Sequence, residues 1–313
     1  QHVCIIRPEY ALPVYVGKFL SSPRIQSFIL DENYGLTRQA LTKGMVEQIS
    51  LPLPPVAEQR RIVAKLDALT ARIARARAEL DRVSALQDRS RTTFLRAGVL
   101  GELTSIWRKN GTYEPVSELL ARIPAPKQGR GGRDATDKTI AGSAAIAVND
   151  PGTALPDGWG WVPLRQIAKQ ETGHTPSRSK PNSWDGSFPW IGIRDAGAHH
   201  GVEIYETAQT ISEEGLENSS ARLLPKGTIC LSRTASVGYV TMMGKSMATS
   251  QDFATWSCTE ALVPEYLMYA LMAEGDDIRK FGMGSTHTTI YFPEIRAFHI
   301  ALPPVEEQRE IVK

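Results

Sequence analysis

The strongest pattern along the chain is a heptad of apolar positions that begins shortly after Pro55. Its members follow one another at alternating steps of four and three: Ile62, Leu66, Leu69, Ile73, Ala76, Leu80 and Val83. Neither Gly nor Pro interrupts the stretch from Val56 to Ala97, which is rich in the good helix formers Ala, Arg, Leu and Glu. The pattern predicts one helix over residues 56–97, about 60 Å long at about 1.5 Å per residue.

An apolar seam of this kind needs a second helix to cover it, as in a coiled coil. Leu66, Ile73 and Leu80 are therefore candidates for contact with a partner protein, and intramolecular packing is an equally good interpretation of each. Within the chain, the obvious second helix is one that starts near Val305 and stops with the sequence at Lys313.

An eleven-residue motif occurs twice, at residues 53–63 and again at 302–312, with nine identical positions and an offset of 249. Upstream, Pro13 and Tyr15 are matched by Pro264 and Tyr266 at an offset of 251. In each copy Leu-Pro-Pro stops the preceding element, and a Glu in the first turn favours the start of a helix. We expect two copies of one domain, the first truncated, in a segment of a longer protein.

Short β-type runs separated by Gly, Pro and Asn follow Leu155, and residues 264–281 have a helical pattern. Residues 109–155 have the composition of a flexible linker, with Gly, Pro, Ala, Ser and Thr in place of large apolar groups. The predicted class is α+β, with irregular mixed α/β domains joined by a long coiled-coil-forming α-helix.

Composition excludes several functional classes. The 313 residues include 36 Lys and Arg against 34 Asp and Glu, so the net charge of +2 gives no bulk positive field. No apolar run is long enough for a membrane span and no secretory leader is visible, so we expect a soluble, cytoplasmic protein without membrane contact. The three cysteines lack CxxC spacing, which excludes a disulfide framework and a Cys-based zinc site and predicts small buried side chains. We find no Walker A, HExxH, GxSxG or methyltransferase motif, and we predict no catalytic residue, metal or cofactor.

Three loops carry hydroxyl, amide and basic groups suited to base edges and phosphates, at residues 172–180, 232–236 and 284–289. Ser/Thr/Gly loops are common, so composition alone does not decide for nucleic acid. Trp184, Trp190 and Trp256 are typical of core or hinge packing, with base stacking as the lesser alternative. His199-His200 indicates a surface turn rather than a metal site, because no third ligand stands at a usable spacing.

Several of these motifs together resemble the DNA-specificity subunit of type I restriction-modification systems. The relevant motifs are Leu-Pro-x-Gly-Trp at 155–159, Thr-Pro-Ser at 175–177, Pro-Trp-Ile at 189–191, Gly-Thr-Ile-x-Leu-Ser-Arg at 227–233 and Gly-Ser-Thr at 284–286. The doubled Leu-Pro-Pro-x-x-Glu-Gln motif is the most specific of them.

The resemblance implies two target recognition domains, each reading half of a split DNA sequence, with conserved helices as spacer. It implies the truncated end of a first recognition domain at 1–51, the central conserved helix at 52–108, the linker at 109–155, a second recognition domain at 156–298 and the start of a distal helix at 299–313. The implied partners are double-stranded DNA, DNA methyltransferase subunits and, in some systems, the restriction subunit. We predict DNA contact by the following loop residues, with Lys180 on phosphate: His174, Thr175, Ser177, Arg178, Lys180, Arg233, Ser285, Thr286 and His287.

Two alternatives stay open on sequence alone. One is a protein-binding coiled-coil scaffold that never contacts DNA, and the other is a stand-alone DNA-modifying enzyme, which the missing motifs disfavour.

Overall fold

The computed structural model describes residues 4–31, 43–129, 134–284 and 288–313, apart from the side chains at positions 30, 31, 84, 85 and 88. By its internal contacts the chain divides into two compact units, residues 1–87 and residues 88–313. The division falls inside the long helix rather than at the boundaries expected from the sequence.

Helices occur throughout the described chain. In order they are α1 (Pro13–Leu20), α2 (Pro23–Asp31), α3 (Lys43–Glu47), α4 (Val56–Val99), α5 (Ser105–Asn110), α6 (Val116–Arg122), α7 (Leu164–Ile167), α8 (Ile193–Ala198), α9 (Glu213–Glu217), α10 (Pro264–Glu274), α11 (Phe292–Arg296) and α12 (Val305–Ile311). Two short 3₁₀ helices cover Pro181–Ser183 and Gly275–Phe281.

All the strands of the described residues belong to the second unit. They are β1 (Ile140–Ala141), β2 (Ile146–Val148), β3 (Gly160–Pro163), β4 (Ala168–Thr172), β5 (Trp184–Ile191), β6 (Glu203–Ile204), β7 (Gln209–Ile211), β8 (Ile229–Ser232), β9 (Val240–Met243), β10 (Ala248–Thr249), β11 (Phe253–Cys258) and β12 (Phe298–Leu302). They form three sheets with the orders β1-β2-β12-β3, β10-β5-β7 and β4-β11-β8-β9-β6. The mixed α/β class predicted from the sequence is confirmed.

Helix α4 confirms the long helix predicted from the heptad. It begins directly after Pro55, whose carbonyl accepts hydrogen bonds from the amides of Glu58 and Gln59 at 2.8 and 3.0 Å. It ends before Gly101, which has a φ of 73° in the left-handed region that favours glycine. Its 44 residues correspond to about 66 Å of helix.

The internal repeat is visible in the hydrogen bonds of each unit taken alone. In the first unit, Gln59 accepts a bond from the amide of Leu12 at 2.8 Å and donates to the carbonyl of Pro54 at 2.9 Å. Tyr15, on α1, donates its hydroxyl to the carbonyl of Pro52 at 2.8 Å. The bonds tie the start of a helix to the Leu-Pro-Pro turn.

The second unit repeats these bonds at the matching positions. Gln308 accepts a bond from the amide of Val263 at 2.7 Å and donates to the carbonyls of Pro303 and Ala261, both at 2.9 Å. Tyr266, on α10, donates to the carbonyl of Ala301 at 2.6 Å. We call this arrangement the glutamine clamp, and Gln59 and Gln308 are both fully buried in it. The structure thereby confirms that the repeated unit is larger than the eleven-residue motif.

The core of the second unit is apolar and aromatic. Trp256 and Phe298 stack with ring centroids 6.2 Å apart, and Phe281 meets Phe298 edge to face at 5.4 Å. Trp256 is fully buried, which confirms its prediction as a core residue. Of the cysteines, Cys230 is buried and Cys258 half-buried, but Cys4 is exposed, so the expectation of three buried thiols is wrong for Cys4.

Residues 109–155 are not simply a linker, and that expectation is wrong for two parts of the stretch. Helix α6 buries Val116 and Leu119, and β2 is a fully buried strand between β1 and β12. Ala144 lies just before β2 and Ala147 lies in it, and both small side chains are buried.

A buried carboxylate holds the turn before β2. Glu274, the last residue of α10, accepts backbone N–H bonds from Ser143, Ala144 and Ile146 at 2.6, 3.1 and 3.0 Å. Burial raises the pKa of this carboxyl above its ordinary value of 4.5, although the three amide donors act in the opposite direction. The turn before β2 is therefore held by a carboxyl group that becomes protonated at a higher pH than an exposed carboxyl does.

Candidate nucleic-acid interface

The first predicted loop, residues 172–180, begins at the last residue of β4 and continues through Gly173, which no other residue can replace without rearrangement. A Cβ added to Gly173 would lie 2.0 Å from the carbonyl oxygen of Thr249 and 2.1 Å from its hydroxyl. The next amide, of His174, donates to that carbonyl at 2.9 Å. This close approach ties the base of the loop to the end of β10.

Two tryptophans support the same loop from beneath. Trp184 and Trp190 meet edge to face with centroids 5.2 Å apart, and their indole N–H groups donate to the carbonyls of Ser177 and His174 at 3.3 and 3.0 Å. Trp190 is 5% exposed. The packing interpretation of these residues is confirmed, and the loop rests on a rigid aromatic base.

The tip of the loop exposes the remaining candidates. Ser177, Arg178 and Lys180 are all exposed, and the Lys180 amide closes a turn on the carbonyl of Ser177 at 3.1 Å. The Arg178 guanidinium lies 5.0 Å from the centre of the Trp184 ring and donates to Gln209 Oε1 at 3.2 Å. Cation–π contact and this bond orient Arg178 without burying it.

The second predicted loop meets the first through residues that sequence reasoning missed. Thr175 donates its hydroxyl to Gln251 Oε1 at 2.6 Å, and Arg233 donates to the carbonyl of Gln251 at 2.9 Å. Thr234 donates to Asp252 Oδ1 at 2.6 Å. We call Gln251 and Asp252 the loop junction, because two candidate loops that are distant in sequence both bond to it.

Arg233 differs from the other basic candidates in being half-buried. Its guanidinium lies 4.5 Å from the centre of the Phe292 ring. Burial lowers the pKa of this guanidinium from its ordinary value, and the negative charge of Asp252 partly offsets that effect. The backbone on both sides is also fixed, since its amide donates to the carbonyl of Asp252 and its carbonyl accepts from Ile290. These contacts are those of a side chain that holds neighbouring loops together. Contact of Arg233 with a DNA base stays a prediction.

Ser285, Thr286 and His287 of the third loop lie outside the described residues. The flanks of this loop are described: Met283 and Thr289 exchange backbone hydrogen bonds at 3.0 Å in both directions. The Ile290 amide, just after this loop, donates to the carbonyl of Arg233 in the second loop at 2.9 Å.

An open cleft of about 600 Å³ adjoins the loop junction. Its lining includes Arg178, Arg194, Gln209, Ser250 and Asp252. Hydrogen-bond donors and acceptors, including positively and negatively charged side chains, therefore line one cleft. This suits recognition of base edges, because base pairs present both donors and acceptors in the major groove.

The three partner-binding candidates lie on α4 in the first unit. Leu66, Ile73 and Leu80 are 39%, 54% and 67% exposed. An apolar row of this exposure on a long helix is typical of a surface that another helix covers.

Within the part of the chain that the structure describes, no three His, Cys, Asp or Glu side chains are grouped so as to hold a metal ion. His199 and His200 lie in a turn after α8, as predicted. None of the described helices combines the length and apolar character that crossing a membrane requires.

Comparison with known proteins places these features in a family. The family model described as type I restriction modification DNA specificity domain matches residues 1–84 and 156–313. The type I restriction enzyme MjaIX specificity subunit of Methanocaldococcus jannaschii is 28% identical over 159 residues, which cover 50% of this chain and 37% of that protein. The EcoR124I/EcoR124II specificity subunit of Escherichia coli is 28% identical over 160 residues, covering 49% of this chain and 39% of its own.

A solved structure described as the structural basis of complex assembly and conformational transition of the type I R-M system has the same fold. It superposes with a TM-score of 0.63 at 23% identity, over 97% of this chain and 62% of the other. The chain spans less than two fifths of the length of the two curated relatives. Since the family model covers well over half of its residues, the chain belongs to the family of type I restriction modification DNA specificity domains.

Proposed function

We propose that the chain is a non-catalytic DNA-recognition subunit of a type I restriction-modification complex, in which each recognition domain reads one half of a bipartite target. The observation that carries this is the loop junction. There Thr175 and Arg233, from loops far apart in sequence, are both bonded to the exposed Gln251, and the neighbouring Asp252 lines an open polar cleft. Preorganised donors and acceptors on a rigid base are what direct readout of base pairs requires.

The proposed division of labour follows the sequence boundaries. Residues 156–298 carry most of a complete recognition domain, residues 1–51 the end of another, and residues 52–108 the spacer that sets the distance between the two half-sites. The sheet β1-β2-β12-β3 draws strands from both sides of the 156–298 stretch, so we include β2 and β12 in the folded recognition domain.

The partners we propose are double-stranded DNA and DNA methyltransferase subunits, with the restriction subunit joining the assembled complex. The exposed row of Leu66, Ile73 and Leu80 supports contact with a helical partner, because burying such side chains stabilises association. Catalysis then belongs to the partner subunits, and the relatives that share this family are named specificity subunits of restriction enzymes.

The experiment that tests the function is selection of duplexes from a random-sequence pool by the purified chain, followed by sequencing. We expect a short enriched motif. For binding to this motif, Arg178→Ala should lose about 1 to 3 kcal/mol of binding free energy at one base position, as for a bidentate contact to guanine. Arg233→Ala should have the same effect if Arg233 contacts a base. If Arg233→Ala instead weakens binding to every sequence equally, Arg233 either holds the loops in place or contacts a phosphate.

A test variant and its matched control separate an effect on recognition from general damage to the fold. Thr175→Val removes the hydroxyl that holds Gln251, while Thr93→Val makes the same change at an exposed position of α4. Only the first should alter the enriched motif. Absence of any enriched motif, with no retardation of any duplex even at low salt, would favour the scaffold alternative over DNA recognition.

A further inference from the structure

The end of α4 is tied to α12 and to the start of β3 by a buried carboxylate. Glu307, in the first turn of α12, is fully buried and accepts hydrogen bonds through both of its oxygens. Its Oε1 accepts from the Thr104 hydroxyl at 2.6 Å and from the Arg108 guanidinium. Its Oε2 accepts from the indole N–H of Trp159 at 2.8 Å. We call these four residues the glutamate node.

The node joins three segments that are far apart in the sequence. Thr104 and Arg108 follow the end of α4, Trp159 comes directly before β3, and Glu307 comes 148 residues after Trp159. The Arg108 guanidinium also lies 5.7 Å from the centre of the Trp159 ring and donates to the carbonyl of Gly101 at 3.0 Å. A buried polar network is rigid when all its members are hydrogen-bonded. The node therefore fixes the direction in which α4 leaves the folded domain.

The turn that ends α4 is packed tightly against the node. A Cβ added to Gly101 would lie 2.7 Å from Cζ2 of Trp159 and 2.8 Å from Nη1 of Arg108. Earlier in the helix, Arg96 pairs with Asp277 at 3.3 Å and donates to a carbonyl in the last turn of α10 at 3.0 Å. The last turns of α4 are thus held at two places, by Arg96 and by the node.

The glutamate of the first copy shows that the repeated motif does not require such a node. Glu58 occupies the position that matches Glu307, at the same offset of 249 residues. Its carboxylate is 43% exposed and pairs with Arg61, three residues later, at 3.1 Å. The helix start and the glutamine clamp form there all the same. The buried contacts of Glu307 are therefore additional to the shared helix start and need a separate explanation.

A long helix magnifies any change of angle at its end. Over the length of α4, about 66 Å, a tilt of about 3° displaces the far end by about 3.4 Å, the rise of one base pair. A helix that measures the gap between two half-sites must therefore be held to within a few degrees. The glutamate node supplies such a support at one end of α4.

We infer that Glu307 and Thr104 are positioning residues for DNA recognition, which hold α4 at the angle that restricts the complex to one gap length between half-sites. This inference rests on the proposed function, with α4 as the spacer. Because both side chains are buried, they act through the helix rather than by contact with DNA.

The test is methylation-site mapping of the assembled complex, which reports the half-site sequences and the gap separately. Glu307→Gln removes the charge that balances Arg108, and Thr104→Val removes one hydrogen-bond donor with little change of shape. Both variants should leave the half-site sequences unchanged and extend the modified sites to gaps about one base pair longer and shorter, as about 3° of added freedom predicts. Glu306→Gln makes the same change at an exposed position of α12 and should keep the single gap.

A further variant separates positioning from stability. Leu271→Ala truncates a core side chain of α10 that is 1% exposed, so it should lower the melting temperature without widening the range of gaps. If Leu271→Ala widens the range as much as Glu307→Gln does, general loosening of the fold is the cause and the inference is wrong. If Glu307→Gln does not fold, Thr104→Val decides, because it keeps the ion pair of Arg108.

The outcomes also separate the inference from the proposed function. Folded node variants that keep a single gap would overturn the inference and leave DNA recognition standing. A changed half-site sequence would do the same, because the node would then act on the reading loops. A wild-type complex that modifies several gap lengths alike would contradict the inference as well. Absence of any bipartite site from the wild-type map would overturn both proposals.

Discussion

The glutamine clamp of the second unit gives a prediction with a defined magnitude. Gln308→Leu removes three hydrogen bonds and leaves the amide of Val263 and the carbonyls of Ala261 and Pro303 unpaired at a fully buried site. An unsatisfied buried backbone group costs about 1 to 3 kcal/mol. Partial relaxation of the structure and residual water keep the cost of each group near its lower bound of about 1 kcal/mol. For three groups we therefore expect a loss of about 3 kcal/mol or more in the free energy of unfolding.

Urea unfolding followed by tryptophan fluorescence measures this change in one unit. All six tryptophans lie in residues 88–313, so the signal reports the second unit alone. At an unchanged m-value, a loss of about 3 kcal/mol shifts the urea midpoint by about 1 to 3 M for m between about 1 and 3 kcal/mol/M.

Two variants serve as controls for the clamp. Arg309→Leu makes an apolar replacement at an exposed neighbour on α12 and should change stability by less than about 0.5 kcal/mol. Gln59→Leu breaks the equivalent clamp in the unit that has no tryptophan, and the fluorescence transition should stay in place. A Gln308→Leu midpoint within error of the Arg309→Leu midpoint would refute the assignment of the clamp as a stabilising contact.

Three further predictions concern the spacer, its partner and pH. Inserting four residues after Gln87 adds about 6 Å of helix. The preferred gap between half-sites should then shift by one to two base pairs, at about 3.4 Å each. Methylation-site mapping of the complex measures this gap, and an unchanged gap would show that α4 does not set the spacing. Ile73→Asp should reduce co-purification of the methyltransferase subunit, because it places a charge in an apolar contact. The control Arg72→Asp, on the neighbouring face of the helix, should reduce co-purification less. Equal effects of the two variants would exclude the apolar row of α4 as the contact surface. Since burial raises the pKa of Glu274, its contribution to stability should be complete below about pH 4.5 and should diminish as the pH rises through its folded-state pKa. In urea titrations the wild type should therefore lose stability relative to Glu274→Gln as the pH rises above about 4.5; parallel profiles of the two proteins would contradict this.

Local and repeated patterns were predictable from the sequence. Helix α4 follows from a heptad without Gly or Pro, and the duplicated motif predicted the matching start of α12. In both cases the information lies in neighbouring residues or in a direct comparison of the chain with itself, so no tertiary contact was needed.

What escaped prediction depends on contacts between distant residues. Strand β2 looks like linker because its small residues become buried only through pairing with β12, about 150 residues away. Gln251 has no motif of its own, and its role comes from the Thr175 hydroxyl 76 residues earlier. Helices α7 and α11, of four and five residues, are too short to leave a periodic signal.

The duplicated glutamine contact also bears on how such chains change over evolutionary time. Each copy presents a Leu-Pro-Pro turn with its carbonyl acceptor, and each following helix brings the same side chain to meet it. Genetic recombination within the shared eleven residues would leave every donor opposite an acceptor. One set of reading loops could then be exchanged for another while the joint between domain and helix is inherited intact.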